Sequence, residues 1–67
     1  MIEIGQGWSA AWAWMIFNED RKLLASGENC VDRRMAIDVA IAVYQGIRKN
    51  DPGALPEAPG VIFPDEA

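Results

Sequence analysis

Few side chains in this sequence are of a type that does chemistry, and their spacing narrows the choices further. Cys30 is the single cysteine among 67 residues, and there is no histidine. A helix start favours the reactive thiolate, and Cys30 stands close before Asp32, where a helix is expected to begin. Without an imidazole, however, no Cys–His pair can form within the chain, and Cys30 reads as a small buried hydrophobe. One thiol and no histidine also exclude an internal disulfide and a structural zinc cluster. Asp65 and Glu66 could bind a hard cation, but no loop has the acidic spacing of a calcium site. No metal and no cofactor is expected.

Carboxylate pairs are equally unpromising. Asp32 and Asp38 share no tight helical face, which leaves general acid–base chemistry without a pair. Asp32 is better used as a helix cap, and Glu19-Asp20 reads as a solvated hairpin turn. Gly5-Gln6-Gly7 lacks the further glycine and the helix that a dinucleotide loop needs. Trp8, Trp12 and Trp14 could stack bases or sugars, yet their neighbours are apolar, which favours a core. The chain is therefore expected not to be an enzyme.

Periodicity shows the elements that would carry these residues. Ile2-Glu3-Ile4 alternates before the turn signal of Gly5-Gln6-Gly7. Over 8–17, strand alternation puts Trp8, Ala10, Trp12, Trp14 and Ile16 on one face. Lys22-Leu23-Leu24-Ala25-Ser26 reads as a third strand stopped at Gly27. A two-residue turn with Asn18 facing Arg21 pairs Ile16 with Leu23, Met15 with Leu24 and Trp14 with Ala25. Both hairpin faces are then apolar.

Asp32 would cap a helix running from 33 to about 49, with Arg48 and Lys49 suited to its C-terminal dipole. Asn50-Asp51-Pro52-Gly53 ends it. At about 100° per residue, Ala36, Val39, Ala40, Val43 and Ile47 form one stripe. Ile37, Ile41 and Tyr44 form a second beside it. The predicted fold is α+β: a three-stranded antiparallel meander followed by one long helix packed on one sheet face. Residues 1–50 make this β-β-β-α domain. Residues 51–67 make an acidic tail with Pro52, Pro56, Pro59 and Pro64, expected to be extended or disordered. Val61-Ile62-Phe63 interrupts it as a candidate docking segment.

This order of features resembles the YegP-like family of small bacterial domains of unknown function. The matching positions are Ile2-Glu3-Ile4, Trp12-Ala13-Trp14, Asn18, Leu24-Ala25-Ser26-Gly27-Glu28, and the helix with Ala36, Ala40 and Ile41, together spanning about 2–47. The tight Asn-Gly turn of that pattern is replaced here by Asn18-Glu19-Asp20. The resemblance implies three antiparallel strands followed by a helix, often in tandem copies or pairs. It supplies no activity and no functional residues.

Charge and hydropathy narrow the partners. Residues 1–50 carry six acidic and six basic side chains, so the net charge of −4 lies on Asp51, Glu57, Asp65 and Glu66 of the tail. No basic stripe marks a nucleic-acid footprint. No segment approaches the roughly 18 apolar residues of a membrane span, and the start lacks a basic leader. A cytoplasmic protein without membrane or nucleic-acid partners is expected.

Function follows from apolar surface in excess. One helix covers one sheet face, leaving Met15, Phe17 and Leu24 on the other and Ile37, Ile41 and Tyr44 as a spare helix stripe. These six residues form the expected partner or dimer interface. A chain this short is near the limit of what one core can stabilise, and two-fold pairs are the commonest oligomers. The expected function is a small non-enzymatic module that forms a homodimer and binds another protein. The alternative is a phage-encoded inhibitor of a host defence system, anti-CRISPR-like, that acts by blocking a surface.

Overall fold

Ile2 and Ile4 sit opposite Ile16 and Trp14, and this buried quartet pins the register of the first two strands. The computed structural model describes residues 1–6 and 10–64. In it β1 (Ile2–Gln6) runs antiparallel to β2 (Trp12–Phe17), with Gln6 opposite Trp12. Trp12, Trp14 and Ile16 share the core face as their parity predicts. Ala10 does not join them: it is exposed at a left-handed φ of 68°, before β2 begins, and its carbonyl accepts from Gln6 Nε2 at 2.9 Å. Trp8, the turn at Gly7, Asp65 and Glu66 lie outside the described residues.

The hairpin into β3 (Leu23–Cys30) differs from the two-residue expectation. Asn18 Oδ1 accepts the N–H groups of Asp20 and Lys22, both at 2.9 Å, and Asn18 N donates to Lys22 O. Arg21 takes φ 63°, closing a loop of Glu19, Asp20 and Arg21 whose last residue is left-handed. Phe17 then pairs with Leu23 and Ile16 with Ala25, so Leu24 is an extra, bulged residue. Met15 meets Ser26 and Trp14 meets Gly27. A second irregularity, with Asn29 at φ 66°, brings Cys30 opposite Trp12. Cys30 is buried there as a core residue.

Gly27 is fixed by the indole beside it. A Cβ at this position would lie 2.5–2.7 Å from Nε1, Cε2 and Cζ2 of Trp14. A rigid ring cannot yield by rotating its tip. Gly27→Ala should therefore cost about 1–3 kcal/mol, as overpacking does. Equilibrium denaturation would measure it, and unchanged stability would mean the indole does not rest on β3.

Helix α1 (Arg33–Asn50) starts as its sequence predicts, with the Asp32 carboxylate accepting from Met35 N–H at 2.8 Å. At its end Asp51 N donates to Ile47 O at 2.9 Å. Ala36, Ala40 and Tyr44 are its buried residues, one turn apart. Val39, Val43 and Ile47, together with Ile37 and Ile41, pack half-buried around them against the core. The two predicted stripes are thus flanks of one wide contact face. Small alanines at its centre let the helix approach the sheet closely.

Beyond the helix, the chain bends at 54–55 and 57–58 and returns along the core, unlike a free tail. Leu55 is buried, and Ala54, Val61 and Phe63 pack against the core cluster. β4 (Val61–Ile62) adds to β1 in parallel, with Ile2 N donating to Gly60 O at 2.8 Å. The result is a four-stranded mixed sheet in the order β3-β2-β1-β4. Arg33 lies over the Phe63 ring at 5.1 Å from its centroid, a cation–π contact. Prolines remove donors and leave carbonyls. The carbonyls of Leu55, Pro56 and Gly60 accept from Arg48, Tyr44 and Ile2. No helix among the described residues is long and apolar enough to cross a membrane.

Candidate interaction surface

The helix and the returning tail cover one sheet face. Strand alternation assigns the other face to Glu3 and Gly5 of β1, Ala13, Met15 and Phe17 of β2, Leu23 and Ser26 of β3, and Ile62 of β4. Ile62, Glu3, Met15 and Ser26 make one row across all four strands. Met15, Leu23 and Ile62 are 37%, 48% and 43% exposed, more than a core-facing position would allow. Phe17 is half-buried beside them.

Met15 divides this face into two open depressions, each about 290 Å³ in volume. One is lined by Glu3, Gly5, Gln6, Ala13 and Pro64, the other by Ala13, Ser26, Gly27 and Glu28. Small residues lower the floor on either side of the methionine. That size is at the bottom of the range for small-molecule sites, and both depressions are shallow and open.

Of the six interface residues expected from the sequence, only Met15 and Phe17 lie on this face. Leu24 sits in the bulge and packs against the core, because the longer loop shifts Leu23 into the place opposite Phe17. Ile37 and Ile41 are helix flanks packed on the core. Tyr44 is fully buried, with its hydroxyl donating to Pro56 O at 2.6 Å. Of that stripe, Tyr44 is met by the chain's own tail.

Leu23 and Ile62 are the residues sequence reasoning missed. Leu23 could have been found only by choosing between adjacent leucines, which needs the left-handed Arg21. The alternation in Val61-Ile62-Phe63 was the available signal for Ile62, since Val61 and Phe63 pack inward. Val31 and Met35 are also exposed, at the junction between β3 and α1.

Tyr44 and Arg48 have structural roles. Burial pushes the Tyr44 phenol above its ordinary value, Arg48 opposes this, and Glu19 adds to it. Arg48 Nε donates to Leu55 O at 3.3 Å, so phenol and guanidinium together hold the returning strap. Among the described residues no group of three or more histidine, cysteine, aspartate or glutamate side chains could hold a metal ion. Comparison with protein-family models, with curated proteins and with solved structures finds no match to this chain.

Proposed function

We propose that this protein is a non-enzymatic interaction module that acts by binding another protein through its open sheet face. One observation carries the reading. The sheet has its helix on one side only, and Met15, Phe17, Leu23 and Ile62 stand on the other. A one-sided antiparallel sheet ordinarily alternates apolar inward with polar outward. Here both faces hold apolar residues, and large apolar side chains exposed together on one face mark an interface. Both sheet edges are poor docking sites, since β3 is bulged and β4 has only two residues. A second copy is the other occupant this face admits, in keeping with the paired domains of the YegP-like resemblance.

The test is a chain carrying Met15→Ser and Leu23→Ser, both at exposed positions. Its stability should stay within about 0.5 kcal/mol of the parent, as surface changes usually do. Capture of native partners should separate it from the parent, and light scattering at micromolar concentration reports whether the parent associates with itself. A parent chain that is monomeric, and captures nothing the variant fails to capture, would defeat the proposal.

A further inference from the structure

The open face is apolar along its middle and acidic on both sides of Met15. Glu3 lines one depression and Glu28 the other. No lysine or arginine is among the strand residues of this face. We infer that the occupant is a basic amphipathic protein segment, seating apolar side chains around Met15 and lysine or arginine against Glu3 and Glu28. This rests on the reading of the open face as an interface and adds the chemistry of what it binds.

Glu3 decides between occupants. It is half-buried, in the row between Ile62 and Met15. Any partner that covers the row also strips water from that carboxylate, and an unpaired buried charge is strongly unfavourable. A purely apolar partner leaves Glu3 in that state. A second copy brings its own Glu3 and Glu28 to the contact, and like charges brought together across an interface oppose association. A cation supplied by the partner removes the penalty and steers the encounter. The net charge of −4 acts in the same direction.

The spacing indicates the form of the segment. Glu3 and Glu28 are two strands apart and offset by two residues, which places their backbones roughly 12 Å apart from standard sheet spacings. On a helix this is about two turns, so cations at i and i+7 would reach both carboxylates with apolar residues at i+3 and i+4 between them.

The experiment uses the full chain, isotope-labelled, and an amphipathic helical peptide with lysines at i and i+7 and leucines at i+3 and i+4. A second peptide carries glutamine in place of both lysines. Amide shift changes should map to Glu3, Ala13, Met15, Ser26 and Ile62 with the lysine peptide, and its affinity should fall with added salt. The glutamine peptide should bind at least five-fold more weakly. Glu3→Gln and Glu28→Gln should each weaken the lysine peptide about two- to five-fold, as partly exposed ion pairs do.

Equal binding of both peptides at the face would overturn the charge assignment while leaving the face an interface. Concentration-dependent shifts on the same residues without peptide would make the occupant a second copy, which also overturns it. With neither peptide binding and no self-association, the interface reading itself fails.

Discussion

A chain ending at Asp51 should not fold. Such a truncation removes Leu55 from the core, the Pro56 acceptor from Tyr44, and β4 from the outer edge of β1. Replacing a buried leucine by alanine alone costs about 2–5 kcal/mol. A domain of this size rarely draws more than about 3–5 kcal/mol from its single core. The combined loss exceeds that margin. The far-ultraviolet dichroism of the truncated chain should therefore lose its cooperative thermal transition. Leu55→Ala in the full chain should lower the transition and keep it cooperative. A truncated chain that melts like the parent would show that residues 52–67 only rest on the fold.

Tyr44→Ala should be the most damaging single substitution on the helix, at about 3–5 kcal/mol, the usual range for emptying an aromatic core position. Tyr44→Phe keeps the ring and loses only the bond to Pro56 O, which should cost about 0.5–1.5 kcal/mol. The gap between the two variants separates packing from hydrogen bonding, and chemical denaturation at neutral pH measures both. Alkali adds a second readout. The folded-state phenol titrates above its unfolded value of 10.0, so the folded state holds this proton more tightly. The resulting stabilisation is full below pH 10 and is lost as pH rises through the raised value. The parent should therefore lose stability above pH 10 relative to Tyr44→Phe. Parallel curves for the two chains would remove burial of the phenol as the cause.

Local signals in the sequence carried much of this fold. Asp32 caps the helix because its carboxylate needs only the next turn, and the tryptophan parity needs only strand alternation. The meander and the single helix followed from the same short-range rules. What the sequence hid depends on one residue's backbone or on distant contacts. The left-handed Arg21 lengthens the loop and bulges Leu24, and arginine gives no warning of a positive φ as glycine or asparagine would. Tyr44 looked exposed because its cover comes from Leu55 and Pro56, in a segment whose prolines suggested a free tail. The candidate surface was half legible for the same reasons. Met15 and Phe17 followed from parity in β2, whereas Leu23 required the bulge and Ile62 the parallel strand.

The pairing of β4 with β1 also has a consequence for synthesis. Ile2 takes its partner from Gly60, so the outer edge of the first strand stays bare while nearly sixty further residues are made. Leu55 and the carbonyl for Tyr44 arrive just as late. A nascent chain that stops short of residue 60 lacks the acceptor for Ile2 N and leaves that strand edge open. Interrupted translation would then release chains with an open strand edge and an uncovered tyrosine, states that cellular proteases remove.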